Sequence, residues 1–247
     1  MEKIMRTYIL ACVCVFLLNC KKPEDRTCFK PAGEITKLKI SLSAFDYIEV
    51  KDYVDVFLTP DTIEFAEVEG GKNLITHITI KQEENKLFIR NQNKCDWVRK
   101  YTQPIKIYLH YKTLNTIEYQ SSGNIYFTDT LAAPKFTINQ RGGSGICYLV
   151  LKTDSCFLNI HTGPGDFVAE GKTINCLVFC NGNGFIDASK LVSDYSFVNS
   201  KGTGDTKIYT TLHLDAIISY IGNIYYFGNP PKVNKEIKGK GQVIKVN

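Results

Sequence analysis

A glycine-centred phrase returns about every 20 residues through the second half of the chain, and this repeat constrains the fold more than any other feature. In each copy a glycine is followed by alternating apolar and polar residues. The closing glycines are Gly123, Gly145, Gly165, Gly184, Gly204, Gly222 and Gly241. Their successive spacings are 22, 20, 19, 20, 18 and 19 residues. A short, nearly constant period with one turn per unit is typical of a solenoid, in which each unit packs on its neighbours.

The pattern inside each unit indicates strands. Residues alternate with a period of two on both sides of the glycine, as in Lys135–Ile138 and Cys156–Ile160. A unit of this length cannot hold a helix of ten residues together with two strands and their turns. We therefore predict an all-β parallel β-helix with coils of about 20 residues, stacked at about 4.8 Å. Glycine is expected at the corners because it tolerates a positive φ.

Two other all-β folds compete with the solenoid. A propeller blade needs about 40 residues, so the repeats would supply only three to four blades. An antiparallel sandwich also has turns at intervals of about 8–12 residues, and it remains the alternative.

Residues 1–19 have the features of a signal peptide. The apolar run Tyr8–Leu18 is too short to span a bilayer as a helix. The sequence Leu17–Cys20 resembles a bacterial lipobox, which implies cleavage before Cys20 and a lipid on its thiol. Asn19 departs from the small residue usual at that position, and a secreted protein cleaved elsewhere is the alternative. The acyl chains would hold the protein at a membrane surface without a transmembrane helix.

The remaining chain divides into a tether and one domain. Residues 20–34 contain the lipidated cysteine and a charged tether. Residues 35–247 are expected to form a single β-helix, with less regular coils and a hairpin in 35–116 and glycine-cornered coils in 117–247.

The less regular part repeats the strand pattern of the later coils. Ile48–Leu58 matches Ile117–Phe127 position by position, with Val54 where the later segment has Gly123. Further along, Ile75–Ile80 and Lys86–Arg90 flank a short polar turn and predict the hairpin. Almost no helix is expected anywhere.

These features together carry a family resemblance over about residues 35–246. The matching segments are Phe45–Val50, Asn73–Ile75, Pro104–Tyr108 and the repeated glycine corners that end in Asn or Asp. The chain resembles the bacterial family called putative auto-transporter adhesin, head GIN domain. This resemblance implies a right-handed β-helix in an exported protein that is often a lipoprotein. It implies no catalytic residues and no established activity.

The cysteines allow a disulfide but no metal site. Cys28 and Cys95 lie outside the repeats, and we expect them to pair in an oxidising compartment. Cys156 and Cys176 are expected to stack in adjacent coils, within reach of a disulfide. Burial as free thiols is the favoured interpretation for the repeat cysteines. The histidines and cysteines show no zinc-ligand spacing, and we predict neither a metal nor a cofactor.

Carboxylates supply the enzyme hypothesis. Asp166 and Asp205 each follow a corner glycine two coils apart, and Asp187 lies between them. Stacked carboxylates would be roughly 9–10 Å apart, near the upper limit for inverting glycosidases. Aspartate and asparagine also suit tight turns because their side chains bind local N–H groups. Asn124 and Asn223 occupy the same corner position, which favours the turn role.

Aromatic side chains supply the binding hypothesis. A ligand face is predicted from tyrosines near the corners, namely Tyr148, Tyr209, Tyr225 and Tyr226, together with Trp97 in an irregular basic segment. Tyrosine is also a favoured strand residue, so packing explains the same pattern equally well.

Composition excludes one class of partner. The formal net charge is +5, and the 30 basic and 25 acidic residues are interspersed, so no nucleic-acid stripe is present. We expect a non-enzymatic binding or adhesion module, anchored by lipid in the outer membrane, with a glycan or a protein as ligand. Whether it faces the cell surface stays open. A polysaccharide-active enzyme and a purely structural envelope protein are the alternatives.

Overall fold

The computed structural model describes residues 31–94 and 104–246, and these residues are built almost entirely from strands. Strands make up 66% of the described residues and helix 2%, and the sheets form a β-solenoid of about six turns. The prediction of an all-β solenoid is confirmed. The predicted signal peptide, Cys20, Cys28, Cys95 and Trp97 lie outside the described residues.

The first part of the chain contains short strands and one helical turn. The strands are β1 Ile35–Ser41, β2 Tyr47–Asp52, β3 Asp55–Pro60, β4 Phe65–Gly71, β5 Ile78–Glu83, β6 Lys86–Asn91 and β7 Lys106–Tyr111. The helical turn α1, Lys72–Ile75, lies between β4 and β5.

The later part contains longer strands that bend around the coil. They are β8 Thr116–Ser121, β9 Ile125–Phe127, β10 Leu131–Arg141, β11 Ile146–Thr162, β12 Asp166–Cys180, β13 Ile186–Ser200, β14 Thr206–Ile218, β15 Ile224–Phe227, β16 Lys232–Ile237 and β17 Val243–Lys245. From β10 to β14 each strand pairs in parallel with the next one along the chain.

An early coil stacks directly on a late one. β2 pairs in parallel with β8, and β3 pairs in parallel with β9. Ile48 is the register partner of Ile117, and Val56 is the partner of Ile125. The sequence correspondence between the two segments is therefore a physical contact, and the chain between them lies on the far side of β2 and β3.

The strands on that far side of β2 and β3 do not all pair in parallel. β6 and β7 continue the parallel stacking on β2 and β3, but β5 pairs antiparallel with β6, and β4 pairs antiparallel with both β7 and β1. Two residues, Glu84 and Asn85, join β5 to β6, and Glu84 adopts a φ of 54°. A connection this short can only make a hairpin, whereas parallel neighbours need a long crossover.

Alternation places one set of side chains inside every coil. Burial alternates with exposure along β11, β12 and β13 over most of their length. The largest fully buried side chains include Tyr119, Phe45, Phe136 and Phe167. The core is therefore a continuous apolar column enclosed by the sheets, and the outward positions are the ones available for binding.

The corner glycines are required for a reason different from the expected one. None of the seven closing glycines has a positive φ. Instead, a Cβ on each would lie 1.8–2.9 Å from the carbonyl oxygen of the corner residue in the preceding coil. The column begins at Val54, whose carbonyl oxygen lies against Gly123. A side chain is excluded because successive coils approach too closely. Positive φ values occur instead at Gly142 and Gly163, which precede the closing glycines Gly145 and Gly165.

One buried hydroxyl ties two of these corners together. Tyr119 donates its O–H to the carbonyl of Gly123 at 2.7 Å and accepts the N–H of Gly145 at 2.7 Å. Both backbone groups would otherwise be buried without a partner, so the tyrosine satisfies the turns as well as filling the core.

Candidate functional site

The corner carboxylates are hydrogen-bond acceptors for the backbone. Asp166 Oδ1 accepts the N–H of Phe185 at 2.7 Å, and Asp205 Oδ1 accepts the N–H of Asn223 at 2.7 Å. Asn124 and Asn223 make the same bond to the next coil, at 2.8 and 2.9 Å. Asparagine and aspartate thus perform one task in this column, which is to join consecutive coils.

Asp166 and Asp205 do not face each other across an open site. Phe185 belongs to the coil between them and is 53% exposed. It takes the corner position between the two aspartates in the stack, so an exposed aromatic residue separates them.

Asp187 is engaged by its neighbours in a different way. It accepts hydrogen bonds from Ser189 Oγ at 2.5 Å and from Lys207 Nζ at 3.1 Å. Desolvation of the carboxyl raises its pKa, but these bonds outweigh it, and the net pKa of Asp187 lies below the usual range. A general acid needs a raised pKa, so this environment does not suit the acid of a glycosidase.

The predicted tyrosine face is not one surface. Tyr148 is 37% exposed, but Val168, Asp187 and Lys207 separate it from Tyr225 along the same outward row. Tyr209 lies half-buried in another row, beside Phe227.

Tyr226 was wrongly assigned to that face. It is only 8% exposed and is the register partner of the buried Ile208, so it occupies an inward position of the coil. Adjacent tyrosines on a strand point to opposite faces, and Tyr225 and Tyr226 therefore cannot share a surface.

Tyr148 instead ends a ladder of stacked rings. The ladder consists of Tyr108, Phe57, Tyr126 and Tyr148. Successive centroids are 5.1, 4.8 and 5.2 Å apart, with interplanar angles of 25°, 14° and 6°. Within the ladder the ring faces lie against one another. Such a ladder stabilises the sheet and offers little ring face to a ligand.

A groove on another face of the coils contains exposed aromatic rings. Two adjacent outward rows form it: Ser155, Asn175, Tyr195 and His213 in one, and Phe157, Leu177, Phe197 and Asp215 in the other. All but Phe157 line a depression of about 370 Å³, whose floor is formed by Cys176 and Ser196. Tyr195 is 47% exposed and Phe197 is 39% exposed. The depression exists because Ser155 and Asn175 are small where the following coil carries Tyr195.

The polar end of the groove is pre-arranged. Asp215 Oδ1 lies 3.1 Å from His213 Nε2 and accepts the amide N–H of Asn234 at 2.6 Å. The three side chains hold one another in fixed orientations beside the exposed rings. A few oriented polar groups next to aromatic surface are the usual composition of a ligand site.

A larger cavity lies at the hairpin end of the molecule. Its volume is about 800 Å³, and it is lined by Asp52, His77, Arg90, Asn91, Gln92, Asn93 and Lys94. Lys94 is the last described residue before the gap at 95–103. The lining therefore ends at the edge of the described part of the chain.

The groove residues were missed at the sequence level, although a signal was present. Phe157, Leu177 and Phe197 recur at intervals of 20 residues, each at an outward position directly after an inward one. Apolar residues at such positions break the alternation expected of a half-exposed strand. That break, repeated in three consecutive coils, marks an exposed apolar row.

The repeat cysteines are buried and reduced. Cys156 and Cys176 are register partners in adjacent coils, as expected from their spacing. Within the described ranges, Cys147, Cys156, Cys176 and Cys180 are all free thiols. They serve as small apolar core residues.

The described residues, 31–94 and 104–246, contain neither a membrane-spanning helix nor a cluster of metal ligands. No helix among them has the length and apolar character needed to cross a membrane. In the same residues, no group of three or more His, Cys, Asp or Glu side chains is placed to hold a metal ion.

The class of protein defined by these features is a parallel β-solenoid with an outward aromatic groove. More specifically, the chain belongs to the family described as "Putative auto-transporter adhesin, head GIN domain", whose model matches residues 44–230. Among proteins of curated function, none matches the sequence.

Solved structures with the same fold come from Bacteroides and Parabacteroides species. A "putative adhesin" from Bacteroides fragilis has a TM-score of 0.80 and 22% identity, covering 87% of this chain and 99% of that chain. A "putative adhesin" from Parabacteroides merdae has a TM-score of 0.63 and 20% identity, with coverages of 88% and 98%. A "putative lipid binding protein" from Parabacteroides distasonis has a TM-score of 0.67 and 22% identity, with coverages of 87% and 98%. At these identities the likeness establishes the fold.

Proposed function

We propose that this protein is a binding module of the bacterial cell envelope that attaches a ligand without transforming it. The observation that carries the proposal is the groove, in which Tyr195 and Phe197 are exposed beside the fixed polar group of Asp215. Large apolar side chains left in water next to oriented polar groups are typical of interaction sites. Membership of an adhesin-like family supports the same conclusion.

The absence of catalysis is part of the proposal. Asp166 and Asp205 are acceptors for backbone N–H groups, and Asp187 is held ionised by Ser189 and Lys207. Each carboxylate that could have supported glycan cleavage thus has a structural role that accounts for it.

The location is proposed from the N-terminal sequence. Cleavage before Cys20 and lipidation of its thiol would anchor the domain to the outer membrane through the charged tether 20–34. The described domain would then stand off the membrane and present its groove to the surroundings.

Lipid binding by the groove is less well supported. One neighbour of the same fold is called a lipid binding protein. An acyl chain needs an enclosed apolar site, whereas this groove is open and has Asn175, His213 and Asp215 among its lining residues.

The test compares intact cells that express the native chain with cells that express Cys20→Ala. Protease added outside should remove the native protein, and these cells should adhere to a glycan-coated surface better than cells without it. The Cys20→Ala form should be found in the soluble fraction and should support no adhesion. Protection of the native protein until the outer membrane is breached would contradict an adhesive role.

A further inference from the structure

We infer that the groove is a subsite for a neutral oligosaccharide, which packs on Tyr195 and Phe197 and is hydrogen-bonded by Asp215 and its neighbours. This inference rests on the proposed binding function and names its ligand class. It places the ligand on a face different from the corner tyrosines Tyr148 and Tyr225.

The exposed rings of the groove are free to stack on a ligand. Within residues 31–94 and 104–246, neither Tyr195 nor Phe197 stacks on another aromatic ring or lies under a cation. This distinguishes them from the ladder that ends at Tyr148, in which ring faces meet ring faces. The C–H faces of pyranose rings pack on such open aromatic surfaces, and the removal of water from both stabilises the contact.

The rows that carry the rings run across several coils. Phe157, Leu177 and Phe197 lie in three consecutive coils and form one apolar row. Its ends are about 9–10 Å apart, given a coil spacing of about 4.8 Å. An extended chain of sugars lying along the solenoid axis would contact the row over more than one residue.

The polar end of the groove still has hydrogen-bonding capacity. Asp215 Oδ1 is used by His213 and Asn234, but Oδ2 has no partner within the part of the chain that the structure describes. A sugar hydroxyl can donate to this oxygen. Asn175 uses its amide N–H groups on Ser155 and on the carbonyl of Asp154, which leaves its own oxygen available in the same groove.

Charge favours a neutral ligand over an acidic one. The chain has 30 basic residues, yet none of the residues that line the groove is Lys or Arg, and one is the carboxylate Asp215. Lys135 and Lys232 lie at the two ends of the first row, as register partners of Ser155 and His213. The amino group of Lys135 is 4.9 Å from the centre of the Phe157 ring. An anionic glycan would meet Asp215 at the polar end of the groove, and like charges repel there.

The experiment measures binding of four soluble neutral probes by isothermal titration calorimetry: cellohexaose, xylohexaose, mannohexaose and chitohexaose. The wild-type protein should bind at least one of them. Tyr195→Ala and Phe197→Ala should each weaken that binding by about tenfold or more, as expected for a central aromatic contact. Tyr148→Ala is the matched control, because this tyrosine is similarly exposed but lies in the ladder. It should bind as the wild type does, and all variants should keep the wild-type melting temperature within a few degrees.

Several outcomes would overturn the inference. Undiminished binding in Tyr195→Ala and Phe197→Ala would place the ligand elsewhere while leaving the proposed binding function intact. Binding of polygalacturonate in place of the neutral probes would refute the ligand class. Dissociation of a dimer by the same variants, seen by light scattering, would make the groove an interface between copies. A wild-type protein that binds none of the four probes would refute the glycan site. The cell-adhesion test above would then decide separately whether the protein is a binding module.

Discussion

The carboxylate of Asp166 accepts a hydrogen bond from the backbone N–H of Phe185 at 2.7 Å, and this bond joins two consecutive coils. Asp166→Ala should lower the free energy of unfolding by about 1 kcal/mol, since the N–H loses its acceptor. Asp166→Asn should have almost no effect because an amide oxygen makes the same bond, as Asn124 does to Ile146. Urea denaturation of both variants measures the difference. Equal destabilisation by Asn and Ala would show that the negative charge itself matters.

The closing glycine of a corner should tolerate no side chain. A Cβ at Gly204 would lie 1.8 Å from the carbonyl oxygen of Gly184, so Gly204→Ala should destabilise the protein by more than about 3 kcal/mol or prevent folding. Gly142→Ala is the control. Gly142 has a φ of +83° but no atom within 4 Å of an added Cβ, and its replacement should cost only about 1 kcal/mol. Thermal melting distinguishes the two, and similar losses would contradict the steric explanation.

The hydroxyl of Tyr119 should contribute to stability separately from its ring. Tyr119→Phe keeps the packing but removes the partner of the Gly145 N–H and of the Gly123 carbonyl. The expected loss is about 1–3 kcal/mol in the free energy of unfolding, because the two buried groups are left unsatisfied. Tyr126→Phe is the matched control, since the Tyr126 hydroxyl bonds only a part-buried side chain, that of Asn124. A loss no larger than that of the control would show that water replaces the hydroxyl.

Much of the fold was predictable because it is repeated. Each coil repeats the same spacing of strands and corner, so the match of Val54 with Gly123 could be found from the sequence alone. The antiparallel strands around the β5–β6 hairpin occur once, and a single occurrence has no period to reveal it. The groove depends on a size difference between small Asn175 and large Tyr195 in one row. Alternation identifies inward and outward positions but does not report such differences between coils.

Asp187 should make the protein slightly less stable in acid. The pKa of Asp187 in the folded protein lies below the usual range. Its contribution to the free energy of unfolding is therefore fully present above the pKa of the unfolded state, about 3.9, and is lost as the pH falls through the pKa of the folded state. Asp187→Asn should therefore reduce the unfolding free energy at pH 7 by less than about 1 kcal/mol, and by less still at pH 3. Denaturant titrations at the two pH values measure this. If the loss of unfolding free energy caused by Asp187→Asn were larger at pH 3 than at pH 7, the pKa of Asp187 would not be lowered by folding.

The core thiols should be inert in the folded protein. Burial raises the pKa of Cys147, and the hydrogen bond with Cys156, together with burial, raises the pKa of Cys176. Because the thiolate is the reactive form, iodoacetamide at pH 8 should leave both residues unmodified until a denaturant is added. Peptide mass spectrometry reads the modification at each site, with a denatured sample as the control. A peptide cross-linked through Cys156 and Cys176 would show that the stacked pair oxidises.

The stacking of β2 and β3 on β8 and β9 has a consequence for biosynthesis. β6 and β7 cover one edge of β2 and β3 first. The other edge meets β8 and β9 only after some 60 further residues have followed, and closing so long a loop carries an entropic penalty. β10 to β14, by contrast, each meet a partner within one coil. The solenoid should therefore assemble from its middle, with the N-terminal coil added late. A chain halted before residue 116 would leave one edge of β2 and one edge of β3 unpaired, and chaperones of the export pathway would have to shield these edges.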